Sequence, residues 1–194
     1  MSSIRSVCVY CGSSSRVDDT YKEAAHDLGT LLGGAGLQVV YGGGRVGLMG
    51  IVADAALAQG AHVVGIIPEH IQVLEVEHTG LGELHVVDSM HTRKRMMMER
   101  SDAFVVLPGG LGTLDEMFEI LTWKQLRLHD KPVVIVDVGG YWRPLVKMVR
   151  HIVSEGFARP EHLGLFHVVE RPDEVLDAFA RAPEPVIEPE TKWL

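Results

Sequence analysis

The sequence predicts an α/β fold: a single doubly wound, Rossmann-like domain whose parallel sheet carries helices on both faces. Three observations lead to this prediction. Short apolar runs alternate along the chain with segments of helical spacing, as in parallel sheets built from βα units. The runs are apolar at consecutive positions, which is typical of strands that are buried on both faces. Glycine-rich turns follow several of the runs, and in this fold such turns border the ligand crevice.

The individual elements follow from the same patterns. Strands are predicted at 4–10, 37–41, 61–67, 83–87, 103–107, 133–137 and 165–169, where the apolar runs stand. The first helix begins at a cap formed by Asp18, Asp19 or Thr20 and ends before Gly36. Helices are also predicted at about 48–59, 90–100, 144–154 and 173–180. Another follows residues 108–113, with apolar residues at three- and four-residue steps up to Leu128. Residues 69–81 are predicted to be irregular or briefly helical.

Length and composition define the class of protein. The 194 residues suit one domain, which we place at 1–182, followed by a loose tail at 183–194 that is rich in proline and glutamate. The formal net charge of −8 argues against nucleic acid or an anionic membrane as a partner. No apolar stretch approaches the roughly 20 residues that a membrane helix needs, and the N-terminal apolar run is too short for a signal peptide. We therefore expect a cytoplasmic protein.

The two cysteines, Cys8 and Cys11, form a C-x-x-C pair with two interpretations. One is a redox pair or half of a metal site. The other is a structural role, because strand alternation places the two side chains on opposite faces, and the sequence has no second pair to complete a zinc site. We favour the structural role. The ten histidines show no metal-ligand spacing either, so we expect no metal and no catalytic histidine.

The strongest functional signal is the turn Pro-Gly-Gly-Leu-Gly-Thr at 108–113, between a predicted strand and a predicted helix. Its three glycines let the backbone approach a ligand closely, and the helix start supplies N–H groups and a positive dipole end for phosphate. Thr113 adds a hydroxyl group, and Glu116 places a carboxylate one turn into the helix. The structural alternative is a capping box, in which Thr113 caps the helix and Glu116 reaches back to its first N–H.

A second glycine-rich turn, residues 42–47, follows the second predicted strand. It fits G-x-G-x-x-G, and Glu69 lies near the position of a ribose-binding acid, so an NAD(P)- or FAD-dependent enzyme is an alternative. That fingerprint normally follows the first strand. The plainer interpretation is a tight turn whose glycines let the helix pack closely while Arg45 projects toward the crevice. Candidate substrate-binding residues at the first two strand ends are Gly12, Ser13, Gly43 and Gly44.

A basic segment follows the fourth predicted strand and contains Arg93, Lys94, Arg95 and Arg100. A solvated basic face is the usual role of such a run. Arg93, however, follows a strand end and stands near a helix start, where an arginine can clamp a phosphate or a carboxylate through two hydrogen bonds. The methionines at 96–98 cannot all face one core, so we expect at least one to meet another helix or another subunit.

Together these motifs resemble the LONELY GUY (LOG) family of cytokinin riboside 5′-monophosphate phosphoribohydrolases. The similarity rests on MHTRK at 90–94, PGGLGTLDE at 108–116 and LTWKQL at 121–126, and it extends to the turns at 11–15, 42–50 and 137–141. The resemblance implies hydrolysis of the N-glycosidic bond of an adenine-type nucleoside 5′-monophosphate, without a cofactor. It also implies a homodimer with the site near the interface, and Arg93 and Glu116 as the catalytic pair. Substrate-binding residues by the same match are Gly109, Gly110, Gly112, Thr113, Met90 and Lys94.

The chemistry of these residues agrees with that implication and leaves alternatives open. A carboxylate near the sugar stabilises an oxocarbenium-like transition state, and a fixed phosphate anchors the far end of the substrate. No residue stands out as the acid for the leaving base, and AMP is not distinguished from a prenylated nucleotide. Lysine decarboxylase, a name often given to this family, needs a Schiff-base lysine, and Lys94, Lys124 and Lys131 lie in no such context. A non-catalytic nucleotide or nucleotide-cofactor carrier, with Glu116 only as a cap, is the alternative function.

Overall fold

The chain forms one parallel sheet of seven strands in a computed structural model that describes residues 4–71, 78 and 80–181. The strand order is β4-β3-β2-β1-β5-β6-β7, and every neighbouring pair is parallel. The strands are β1 Ser6–Tyr10, β2 Gln38–Tyr41, β3 Val63–Pro68, β4 Glu83–Val87, β5 Ala103–Val106, β6 Val133–Val136 and β7 His167–Val169. This arrangement confirms the predicted doubly wound α/β fold.

Helices cover both faces of the sheet. They are α1 Asp19–Gly34, α2 Gly47–Ala58, α3 Met90–Glu99, α4 Leu111–Gln125, α5 Arg143–Ser154 and α6 Val175–Arg181. One apolar cluster joins α1, α2 and α6 to the sheet, and a second joins α3, α4 and α5 to the opposite face. Among the residues described, no helix is long and apolar enough to cross a membrane.

The two cysteines show how the core is divided. Cys8 belongs to the cluster beneath α3, α4 and α5, whereas Cys11 belongs to the cluster beneath α1 and α2. Both cysteines are buried, and neither forms a disulfide. Burial, reinforced by the charge of Glu116, raises the pKa of the Cys8 thiol well above its usual range. The predicted opposite orientation of the two cysteines is therefore confirmed, and their burial agrees with a structural role.

The ends of α1 follow the predicted signals. Asp18 is the N-cap, and its carboxylate accepts a hydrogen bond of 2.9 Å from the Thr20 N–H. The helix stops just before Gly36, which adopts the left-handed conformation at φ +69°. On its inner side, a Cβ at Gly29 would overlap the carbonyl of Val52, so this glycine allows α1 and α2 to pack closely.

Several predicted boundaries were wrong. α4 ends at Gln125, so Leu128 lies beyond the helix and is 65% exposed instead of packing on the sheet. Leu165, predicted to begin the last strand, is instead the last residue of a short 3-10 helix over Pro160–Leu165, and β7 begins at His167. Residues 69–71 are helical, but 72–77 and 79 of the segment predicted as irregular lie outside the described residues, as does the predicted tail at 183–194.

Candidate active site

The turns after β1 and β5 meet at the carboxyl edge of the sheet. The Gly12 N–H donates to the carbonyl of Pro108 at 3.0 Å, and the Leu48 N–H donates to the carbonyl of Gly12 at 3.0 Å. A Cβ at Gly12 would lie only 3.3 Å from the Gly109 Cα. Each turn has a glycine within a few residues of the strand end, and the absence of side chains lets the two backbones come this close. Strand order reverses between these two strands, which is where open α/β sheets bind ligands.

The turn after β5 leads directly into α4. Gly110 is the N-cap residue, and because it has no side chain, it cannot satisfy the first N–H groups of the helix. Those groups and the positive end of the helix dipole form a site suited to an anion. Gly109 packs so closely on Thr113 that a Cβ there would overlap the threonine hydroxyl group. Of the predicted phosphate-binding residues, Gly109, Gly110, Gly112 and Thr113 therefore lie together in this one turn and helix start.

The capping-box interpretation of Thr113 and Glu116 was wrong. The helix begins at Leu111, so Thr113 is the third residue inside it rather than the cap. Glu116 consequently lies in the second turn, away from the first N–H groups, and is buried with 8% exposure. Its carboxylate has a different neighbour, since Arg93 Nη2 of α3 lies 3.8 Å from Glu116 Oε1.

Arg93 is held in place by backbone carbonyl groups from two strand ends. Its Nε donates to the carbonyl of Ile66 in β3 at 3.1 Å, and its Nη2 donates to the carbonyl of Gly42, just after β2, at 3.1 Å. Arg93 is only 5% exposed, so the alternative of a solvated basic face does not hold for this residue. A guanidinium group fixed by two acceptors and placed beside a buried carboxylate forms a preorganised pair of opposite charges.

Comparison with known proteins identifies the family. Residues 49–179 match a family model described as possible lysine decarboxylase. The cytokinin riboside 5′-monophosphate phosphoribohydrolase of Rhodococcoides fascians is 48% identical over 80% of this chain and 79% of its own length. An Arabidopsis thaliana enzyme of the same name is 46% identical over 82% of this chain and 74% of its own.

The chain belongs to the LOG family.

The family's curated members are named as phosphoribohydrolases, which are hydrolases of N-glycosyl bonds. Solved structures share the fold at lower identity. The Moco carrier protein from Chlamydomonas reinhardtii is 20% identical, with a TM-score of 0.70, and the match covers 91% of this chain and 96% of that one. The molybdenum cofactor binding protein from Rippkaea orientalis is 18% identical, with a TM-score of 0.68 over the same shares. At these identities the likeness shows the fold alone.

Two further residues of the LOG motif in α3 have contacts of their own. Lys94 is buried, and its Nζ lies 3.0 Å from Asp115 Oδ2 and 3.1 Å from Glu119 Oε2. Burial opposes its charge, but these two carboxylates outweigh burial and raise its pKa. A solvated basic face was therefore wrong for Lys94 as well. Met90, the first residue of the helix, places its Sδ 3.8 Å from Arg93 Nη1.

The glycine turn after β2 contacts Arg93 through Gly42. Gly42 was missed by the sequence reasoning, although a Cβ there would overlap Arg93 Nη2. The run of three glycines signals a close approach of some kind, but its partner stands 51 residues away and cannot be read from the spacing. Gly43, at φ +77°, and Gly44 are buried, and a Cβ on Gly43 would press on Ile67 and Leu84. Gly43 thus packs against residues of β3 and β4.

Ser13 and Arg45 lie in the turns after β1 and β2 and are exposed to solvent. Ser13 is exposed, and its backbone touches Gly47, which adopts φ +70° at the start of α2. Arg45 is exposed beside a cavity of about 520 Å³ that Ser14 and Ser15 also line. Within the ranges 4–71, 78 and 80–181, no group of three or more His, Cys, Asp or Glu side chains is arranged to hold a metal ion.

Proposed function

We propose that this LOG-family protein hydrolyses the N-glycosidic bond of adenine-type nucleoside 5′-monophosphates, namely cytokinin riboside 5′-monophosphate, AMP or both. The products are the free base and ribose 5-phosphate. The observation that carries the proposal is the buried pair of Arg93 and Glu116, 3.8 Å apart, beside an uncapped helix start at the carboxyl edge of the sheet. The start of the helix and the carboxylate belong to the same helix, α4, so a phosphorylated sugar could reach both.

The phosphate is expected at the start of α4. Backbone N–H groups there bind an anion without a flexible side chain, so little conformational entropy is lost. Because the phosphate is remote from the reacting bond, the energy of binding it can be used to orient the sugar against Glu116. This division of roles accounts for the glycines of the turn and for the carboxylate in the second helical turn.

Glu116 is expected to act on the sugar. Cleavage of an N-glycosidic bond passes through an oxocarbenium-like state, which a fixed negative charge stabilises while the same carboxylate orients a water molecule for attack. Arg93 is itself fixed by the carbonyl groups of Gly42 and Ile66, so it restrains the carboxylate in one position. In this proposal Arg93 orients Glu116 or contacts the nucleotide directly.

The description of the family model, possible lysine decarboxylase, fits these residues poorly. That chemistry with pyridoxal phosphate needs a lysine amine available for a Schiff base. The amine of Lys94 is paired with Asp115 and Glu119, and that of Lys124 donates to the carbonyl of Lys131 at 2.9 Å. Lys131 in turn donates to the carbonyl of Met98 at 2.6 Å. We therefore propose hydrolysis rather than decarboxylation.

The test is release of free base from isopentenyladenosine 5′-monophosphate and from AMP by the wild type and by Glu116→Gln. Glutamine keeps the shape of the side chain and removes its charge, and the control is Glu99→Gln, an exposed position on α3. We expect Glu116→Gln to remain folded at the assay temperature and to lose at least about 100-fold in kcat, as removal of transition-state electrostatics does. The ratio of the two wild-type rates identifies the preferred substrate. No base release, together with a higher melting temperature in the presence of AMP, would instead establish a carrier.

We also propose a homodimer in which α4 takes part in the interface. Leu111 at the start of α4 is 86% exposed and Leu128 just after its end is 65% exposed. Large apolar side chains exposed at both ends of one helix are the kind of surface that a second subunit covers. Light scattering after size-exclusion chromatography gives the mass directly. A mass near the 21.3 kDa of one chain would contradict this proposal.

A further inference from the structure

Tyr141 joins the turn after β6 to the glycine turn before α4. Its hydroxyl group donates a hydrogen bond of 2.7 Å to the carbonyl oxygen of Gly109. Gly109 is also fixed on its other sides, because a Cβ there would overlap Thr113 and lie 2.9 Å from the Gly12 nitrogen. The bond from Tyr141 therefore reaches a part of the turn that packing already holds tightly.

The tyrosine is itself held in one position. Asp137, at the end of β6, is buried and accepts a hydrogen bond of 2.6 Å from the Trp142 N–H. The intervening glycines, Gly139 and Gly140, take the left-handed φ values of +60° and +82° that this tight turn requires. The Tyr141 ring then packs edge-on against Trp142, with ring centroids 4.8 Å apart, and against Tyr21 of α1 at 5.6 Å. A ring with two aromatic neighbours loses little further freedom when its hydroxyl group forms a bond.

The bond fixes the orientation of a peptide group. The peptide between Gly109 and Gly110 is trans, so its N–H points opposite to its carbonyl group. Since Tyr141 holds the carbonyl, the Gly110 N–H is turned away from Tyr141. Tyr21, against which Tyr141 packs, belongs to α1, whereas Arg93 and Glu116 belong to helices on the opposite face of the sheet. The Gly110 N–H therefore lies on the side of its peptide group that faces away from Tyr141.

We propose that Tyr141 is a positioning residue for the 5′-phosphate of the substrate. It orients the Gly110 N–H as a donor to the phosphate, and it strengthens that donor because hydrogen bonds along one peptide polarise each other. Packing fixes the Cα of Gly109, but without the hydroxyl group the peptide group that follows it can turn about its flanking bonds and must be ordered when the phosphate binds. This inference rests on the proposed function only in taking the ligand of the turn to be the phosphate of a nucleotide.

The test is Tyr141→Phe, which keeps the ring and its aromatic contacts and removes the hydroxyl group. We expect KM for isopentenyladenosine 5′-monophosphate to rise about tenfold, with kcat within twofold of the wild type. The dissociation constant of ribose 5-phosphate, measured by calorimetry, should rise by the same factor, because the cost of ordering the peptide group then falls on the binding step. Tenfold corresponds to about 1.4 kcal/mol, which is within the usual cost of fixing the backbone of one residue. The matched control is Tyr21→Phe, which removes a hydroxyl group from the same aromatic cluster and should change none of these values.

A merely structural role would lower the melting temperature of Tyr141→Phe and leave the ratio of KM to kcat unchanged. Unchanged KM and unchanged ribose 5-phosphate affinity would overturn the proposal. A loss of kcat at constant KM would also overturn it, because the hydroxyl group would then act in the chemical step. The calorimetric arm does not depend on catalysis. If the wild type binds ribose 5-phosphate tenfold tighter than Tyr141→Phe but releases no base, the positioning role stands and the proposed function fails.

Discussion

The substitution Gly42→Ala tests the geometry of the Arg93–Glu116 pair, although Gly42 is not a member of the pair. Arg93 Nη2 donates to the Gly42 carbonyl at 3.1 Å, and a Cβ at this position would overlap that nitrogen and lie 3.1 Å from the sulfur of Met49. The φ angle of Gly42 lies outside the left-handed region, so alanine is excluded here by the contact and not by its backbone. To regain ordinary contact distance, the guanidinium group must move by roughly 1–1.5 Å.

The size of the effect follows from that displacement. The bond from Nη2 to Gly42 is weakened, and the 3.8 Å approach of Arg93 to Glu116 changes with it. A misplacement of about 1 Å costs about 100-fold in catalysis, which is about 2.7 kcal/mol of transition-state stabilisation. A hydrogen bond from a buried charged group is worth about 1.5–3 kcal/mol. We therefore expect Gly42→Ala to lose about 100-fold in kcat/KM and to melt a few degrees below the wild type.

The assay is base release from isopentenyladenosine 5′-monophosphate at a temperature where both proteins are folded. The control is Gly34→Ala, because a Cβ at Gly34 meets no atom within 4 Å. Gly42→Ala with kcat/KM within threefold of the wild type would refute the reasoning, since Arg93 would then tolerate displacement. An equal loss in Gly34→Ala would show that the effect does not arise at the site.

Three further predictions concern the scaffold. Gly29→Ala should cost about 1–3 kcal/mol in urea denaturation because its Cβ overlaps α2, whereas Gly34→Ala in the same helix should be neutral or slightly stabilising. Cys8 and Cys11 should react with a thiol reagent at pH 8 only after unfolding, because both are buried and the pKa of Cys8 is raised; rapid labelling of the native protein would contradict this. Burial lowers the pKa of Lys124 from an ordinary 10.5 to about 8, so the unfolded chain binds more protons between these values. Lys124 should therefore contribute a rise in the free energy of unfolding with pH across that window, opposed by the buried Cys8 thiol and Tyr41 hydroxyl, whose pKa values are raised. Relative to the wild type, Lys124→Met should lose this contribution, so the difference in the free energy of unfolding between the two proteins should change with pH in the window.

The parts of the fold that the sequence predicted are those set by apolar runs. The continuous run from Val133 to Val136 forms a strand that is buried at every position and paired on both sides, as its composition indicates. The boundaries that were wrong lie where periodicity continues by chance beyond an element, as at Leu128. Helical spacing records which residues share a face, but not where the last hydrogen bond of the helix is made.

Within the site, the sequence predicted the charged side chains but not the backbone carbonyl groups that hold Arg93 in place. Arg93 and Glu116 carry the chemistry in their own residue types, and the structure brings both into one buried pair. The carbonyl groups of Gly42 and Ile66, which hold Arg93, belong to no residue type and leave no signature of their own. The capping box predicted from Thr113 and Glu116 was wrong because the helix is already capped by Gly110, three residues before Thr113.

The order of the strands explains why the pair forms from distant segments. The chain runs outward from β1 through β2 and β3 to β4, and α3 then returns it to β5 at the centre of the sheet. On that return Arg93 passes over the ends of β2 and β3 and takes its two carbonyl acceptors there. Glu116 comes from α4, the first helix of the other half of the sheet. The pair therefore spans the point where strand order reverses, so any substitution that shifts α3 on the strand ends should disturb catalysis before it disturbs the core of either half.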